Sequence, residues 1–409
     1  MKSILKQASW LIVSQFLTRI IGFFYTIFLA KNLGVEDYGL FSVGFAYFSI
    51  VSSISDFGFN RYLIREISQK ETRKWELLWN LVMLRLTLIC IFFGVFSVLL
   101  YVFDDNKMRV SVILLSTLAV LPQTIAITFD GLFIALRKLQ FSAVAAALSS
   151  LGTILIGLLL VSKGLGVTGA VNALILGQLV FVLAFVVLLY FKIGIKLSQI
   201  QLPVIKKALA GSLPYGLLGI LGLLYFRIDI IMLSYLRGNF ETGIYGVSYK
   251  FLEAVVFIPT AFSSALFPVL AKLHSTRSLE QIKNLYFKSI KIMGFIGFLV
   301  MLFFILFISL AIKLFIPQFQ SSIDVIKVLS LSIPLMFMSA PGVQVMFSTD
   351  RYLKQVIYLS IFTLGVNVLL NLILIPKFGL FAAAWITVFS ELLSLTIFYK
   401  LIKYKVFKD

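Results

Sequence analysis

Acidic residues are scarce in this chain of 409: 17 Asp and Glu stand against 36 Lys and Arg, and charged residues of either sign make up only 13%. A soluble globular domain carries about 25%, so the chain has too little charge to present several hundred residues to water. Cysteine and histidine are scarcer still, present once each as Cys90 and His274. A single cysteine excludes an intramolecular disulfide. A single histidine, in a charged connector, leaves no basis for a His-based metal centre or a catalytic triad. Also missing is any stretch polar enough to fold as a soluble domain, although the length would suit two or three.

What is present in excess is apolar sequence, 60% of all residues. It recurs in runs of about twenty, each long enough to cross a hydrocarbon core about 30 Å thick. The fold class expected is all-α integral membrane, with about twelve transmembrane helices over 9–30, 39–60, 78–103, 110–135, 141–162, 168–191, 208–236, 244–271, 289–313, 323–347, 355–375 and 380–402. The first run follows a basic start and imitates a signal peptide. It lacks a small-x-small cleavage site and is interrupted by Arg19, so it reads as a retained helix. With the N-terminus inside, the inside connectors hold 24 Lys and Arg and the outside connectors 7. That asymmetry orients the chain with both termini cytoplasmic. It also turns the formal charge of +19 away from nucleic acid, because the basic residues sit in short connectors between apolar runs.

Two internal matches divide the chain. Gly34-Val-Glu-Asp-Tyr-Gly39 precedes Gly238-Asn-Phe-Glu-Thr-Gly243 by 204 residues, and Gly166-Val-Thr-Gly-Ala170 precedes Gly379-Leu-Phe-Ala-Ala383 by 213, after which Gln178 aligns with Glu391. Two matches at nearly one offset imply two six-helix lobes, each starting inside and related by a parallel repeat. The lobes expected are 1–191 and 208–409, joined by a cytoplasmic basic linker at 192–207.

Ionisable residues within these runs cost roughly 2.5–3.5 kcal/mol each if they face lipid, so they must pair or line water. Asp56, Arg85 and Asp130 lie near the inner surface, where snorkelling or a structural ion cluster accounts for them. Arg19 is deeper and shares a face with Ser14, Gln15, Thr18, Gly22 and Tyr25, a polar stripe that reads as cavity lining. Lys250 and Glu253, three apart, can neutralise each other. Arg227 and Asp229, two apart, point about 200° away from each other and cannot pair. Glu391 is a lone acid at mid-helix, a candidate for ion coupling or for a hydrogen bond from Asn367 or Asn371. Pro214, Pro259, Pro268, Pro334 and Pro341 break several helices of the second half, as suits a protein that bends.

The opening from Ser9-Trp10 through Arg19, the segment Leu33-Gly-Val-Glu-Asp-Tyr-Gly-Leu-Phe-Ser42, and Gly379-Leu-Phe-Ala-Ala-Ala-Trp385 together resemble the Wzx-type polysaccharide flippases. These belong to the superfamily that also holds multidrug exporters and lipid II flippases. The resemblance implies two lobes around a central cavity that opens alternately to either side of a bacterial cytoplasmic membrane. It implies a substrate too: an undecaprenyl-diphosphate-linked oligosaccharide carried to the outer leaflet for a surface polysaccharide such as O-antigen or capsule. In such relatives cavity cations meet the lipid diphosphate, and the matching candidates are Arg19 with Gln15, Lys250 and Arg227. Glu391 and Glu253 are the candidates for coupling to protons or sodium. The partners expected are the glycan lipid and membrane lipid, with no nucleic acid and no cofactor. The alternative is a cation-coupled multidrug exporter of the same superfamily. A membrane-embedded polymerase or ligase would need a catalytic outer segment, which connectors of about twelve residues or fewer do not provide.

Overall fold

The computed structural model describes residues 2–276 and 278–407; the side chains of residues 2–19, Pro214, Tyr215 and Asp350 lie outside that description. Among the described residues every regular element is helical: α1 (Lys2–Asp56), α2 (Phe59–Gln69), α3 (Lys74–Phe103), α4 (Lys107–Leu118), α5 (Val120–Ala135), α6 (Leu139–Ser162), α7 (Gly166–Lys192), α8 (Leu202–Leu236), α9 (Asn239–Val255), α10 (Phe257–Ser275), α11 (Leu279–Phe315), α12 (Ser322–Ser330), α13 (Ser332–Phe347) and α14 (Leu353–Leu401). Helices are the form that satisfies every backbone polar group within one segment, which lipid demands.

Ten helical segments among the described residues are long and apolar enough to cross a membrane, so the chain is a multi-pass membrane protein. Two of them, Ile20–Gln69 and Leu353–Val406, run to 50 and 54 residues, more than twice the ~20 that one crossing needs. Each is broken by a glycine: Gly34 at φ 75° in α1 and Gly379 at φ 61° in α14. An L side chain strains at such φ values, whereas glycine adopts them freely. The partners of these glycines in the sequence repeat behave alike, with Gly238 at φ 84° and Gly166 at φ 54°. The repeat is therefore a repeat of chain breaks as well as of letters.

The chain forms two compact units, residues 1–227 and 228–409. In the first, the amphipathic α2 buries Phe59, Tyr62, Leu63 and Ile67 with Phe129, Leu132 and Phe133 of α5 in one core. The connector between α7 and α8 belongs to this unit and is pinned to α3. Asn80 Nδ2 donates to the Gln199 carbonyl at 3.1 Å and Asn80 Oδ1 accepts from the Gln201 N–H at 2.6 Å, while Trp79 Nε1 donates to the Lys196 carbonyl at 2.9 Å. The first half of α8 then packs by glycines. A Cβ on Gly211 would stand 2.8 Å from the Tyr62 ring, and one on Gly216 only 2.6 Å from the Phe57 carbonyl oxygen. Those contacts explain why the unit boundary falls within α8, beyond the basic connector.

In the second unit α11 packs on α13 and α13 on α14. The two arms of α14 run either side of Gly379, so Asn367 and Asn371 on one arm can meet Thr387, Ser390 and Glu391 on the other. All five are buried.

Candidate functional site

Asp229 of α8 is 4% exposed and lies well inside the span Gly216–Leu236. Its carboxylate is held by neutral groups from two other helices. Asn371 Nδ2 donates to Oδ1 at 2.8 Å. The Tyr245 hydroxyl of α9 donates to Oδ2 at 3.0 Å, and Thr387 Oγ1 lies 3.0 Å from the same oxygen. The cluster extends outward: Asn371 Nδ2 also reaches Asn367 Oδ1 at 2.9 Å, and Asn367 Nδ2 donates to Ser390 Oγ at 3.3 Å. Ser390 adjoins Glu391, itself 7% exposed.

The hydrogen count in this cluster is unbalanced. The Thr387 hydroxyl has one proton, yet both Asp229 Oδ2 and the Ala383 carbonyl stand 3.0 Å from it. Asn371 Oδ1 is buried with no donor among the described residues. An acceptor-rich, donor-poor pocket around one carboxylate is short of positive charge. A proton on Asp229, or a small cation among its oxygens, restores the balance, and a hard cation prefers such oxygen donors. One carboxylate with neutral oxygens matches a single positive charge. A divalent ion would leave net charge in a low-dielectric site.

The side chains of Arg19 and Gln15 lie outside the described residues. Arg227 is 9% exposed, with its guanidinium 5.1 Å from the Phe45 ring centroid, a cation–π arrangement that shelters charge in an apolar span. Lys250 Nζ meets Glu253 Oε2 at 2.9 Å, so these two candidates are brought together as an ion pair. Glu391 follows Ser390 in the chain and is buried. Asn371, expected to serve Glu391, is turned to Asp229, which lies across from it in the fold. Near one end of the first unit Arg85, 1% exposed, meets Asp56 at 3.3 Å and donates to Thr128 Oγ1 at 2.9 Å. Of the three residues for which snorkelling or an ion cluster was expected, Asp56 and Arg85 are thus paired, and no ion pair joins Asp130 to them among the described residues.

A family profile described as polysaccharide biosynthesis protein matches residues 4–274, about two thirds of the sequence. The chain belongs to that family. A second profile, MatE, matches residues 214–373, a stretch that carries Asp229, Tyr245, Asn367 and Asn371. A curated relative, the "Probable flippase AglR" of Haloferax volcanii, is 24% identical over 172 residues, which cover 41% of this chain and 35% of that protein. The match thus spans about a third of the relative's length.

Solved structures share the fold across nearly the whole chain. The lipid II flippase MurJ in an inward closed conformation matches with a TM-score of 0.71 at 15% identity, covering 96% of this chain and 87% of that one. An inward-facing multidrug resistance MATE family transporter matches at 0.72 and 16%, covering 94% of each chain. A transporter from Pyrococcus furiosus, described by a reversed polarity of its binding pocket, matches at 0.71 and 17%, covering 100% of this chain and 96% of that one. The likeness to these structures is one of fold.

Sequence reasoning names Asp229 but gives it no role, and it passes over Tyr245, Thr387 and Ser390. The available signal was the Asn367–Asn371 pair, two amides one turn apart in an apolar run.

Proposed function

We propose that this protein moves a polyprenyl-diphosphate-linked oligosaccharide from the cytoplasmic to the outer leaflet, coupled to a monovalent cation at Asp229. The observation that carries the coupling is the buried Asp229 carboxylate with its surplus of acceptor oxygens. Such a charge is costly in a membrane span and is retained where an ion or proton visits. The family match supports the glycan-lipid substrate. Counting the long segments with breaks at Gly34 and Gly379 as two crossings each supports a reading of twelve crossings, and the distribution of Lys and Arg supports cytoplasmic termini. Transport, and no chemistry on the substrate, is the activity.

The anionic head gains from such a direction. Each negative charge moving outward from a negative interior is favoured by roughly 2.3 kcal/mol per 100 mV. Arg19 is the residue we assign to the diphosphate, with Gln15 on the same stripe. Arg227 and Lys250 are the further cations, and Glu391 is a second buried acid. Arg19→Ala should abolish export at unchanged protein level. Arg19→Lys should keep part of it, because lysine retains the charge but not the planar fork that grips phosphate oxygens in pairs. Wild-type export by Arg19→Ala would remove Arg19 from the substrate path.

A second reading, export of cationic drugs, draws support from the MatE match over 214–373. The two separate by cargo. Proteoliposomes loaded on one side with a fluorescent lipid-diphosphate saccharide, or with a cationic dye, show which one moves.

A further inference from the structure

The two sequence repeats are left unused by transport and coupling alone, and the structure joins them into one device. In the second unit Glu241, three residues past the left-handed Gly238, reaches the glycine that opens the second arm of α14. Its Oε2 accepts the Leu380 N–H at 2.8 Å, and a Cβ on Gly379 would overlap that carboxylate. Its Oε1 is held by Arg237 at the end of α8, with Nε at 2.8 Å and Nη2 at 2.7 Å. One carboxylate therefore binds α8, α9 and α14 at the same end. In the first unit the counterpart acid, Asp37, lies three residues past Gly34, and its Oδ2 is 3.6 Å from where a Cβ of Gly166 would stand. Leu33 occupies the place of Arg237, so the first unit has no arginine at the position that supplies the clasp in the second.

The same three helices carry the Asp229 cluster deeper in the span. Tyr245 is one turn beyond Glu241, Thr387 two turns beyond Leu380, and Asp229 about two turns before Arg237. Tyr245, four residues past Glu241, lies within about 40° of it around α9. At the matching positions of the first unit, offset by 204 or 213, stand Tyr25, Phe41 and Leu174. The charged clasp and the polar cluster are thus found in the same unit and on the same helices.

We propose that Glu241 is a positioning residue for the Asp229 site. Its clasp with Arg237 and the Leu380 N–H fixes the spacing of α8, α9 and α14, and so the spacing of the oxygens of Asp229, Tyr245 and Thr387. This rests on the coupling reading of Asp229. Loosening the clasp weakens cation binding without touching a group that contacts the cation.

The test is thermal unfolding of the purified full-length protein in detergent. Sodium is titrated at constant ionic strength with choline, and pH is titrated in choline alone. A cation that binds the folded state raises Tm with a midpoint that reports its affinity. The wild type should show such a midpoint in one of the two titrations, and Asp229→Asn should lose it. Glu241→Gln should keep the full rise but need about tenfold more cation to reach it. Arg237→Gln, which spares the Leu380 contact, should shift the midpoint in the same direction by less, and it serves if Glu241→Gln does not accumulate. A merely structural Glu241 would lower Tm equally at every cation concentration and leave the midpoint in place, which overturns the proposal. If Asp229→Asn responds as the wild type does, the coupling reading fails and takes the role of Glu241 with it.

Discussion

A charge buried in hydrocarbon is informative because the fold could be more stable without it. Asp229 keeps its carboxylate at 4% exposure with neutral donors around it among the described residues, each hydrogen bond to a charged group offsetting roughly 1.5–3 kcal/mol of its desolvation. Asp229→Asn should therefore fold and insert at wild-type abundance while losing all dependence of transport on the coupling cation. Arg85 illustrates the opposite case. Its guanidinium is 1% exposed and meets Asp56 and Thr128, so it is bound into packing. Arg85→Ala should cost roughly 0.5–3 kcal/mol by emptying a packed site and removing the partner of Asp56, read as a fall in Tm and in membrane abundance, with specific activity per folded molecule preserved. The sequence distinguishes these two charges poorly, because depth in a run says nothing of partners. Thr387 and Asp229 are 158 positions apart, and no local pattern announces that they meet.

At the scale of elements, glycine positions carry most of what could be read in advance. The matched pairs Gly34 with Gly238 and Gly166 with Gly379 were visible as letters, and all four have positive φ, because only glycine turns the chain there without strain. Gly379→Ala should be damaging on two counts, the strained φ and the overlap with Glu241. We expect a loss of folded protein corresponding to at least about 1–2 kcal/mol, measured as the fraction surviving detergent at rising temperature. Gly365, with open space around its would-be Cβ, is the control that should tolerate alanine. The connector at 192–207 shows where element-level reading falls short. Its basic charge marks a boundary between apolar runs, but it gives no hint that Asn80 and Trp79 pin it to α3. Side-chain hydrogen bonds to an irregular backbone have no periodicity to detect.

The helical membrane architecture, by contrast, was legible from composition, because a hydrocarbon solvent permits so few solutions. The orientation proposed from charge placement is open to direct test. In a background with Cys90 replaced, Asn106→Cys should react with an impermeant maleimide in intact cells, and Ser278→Cys only after permeabilisation. The reverse pattern would invert the direction of transport.

The measurement closest to the central claim is outward movement of a polyprenyl-diphosphate-linked saccharide in proteoliposomes under an imposed proton or sodium gradient, compared between wild type and Asp229→Asn. The account predicts that the wild type accelerates translocation when the gradient is applied and that Asp229→Asn, equally abundant, does not respond to it. A wild-type protein that moves a cationic dye but not the glycan lipid, or an Asp229→Asn protein that responds to the gradient as the wild type does, would contradict it.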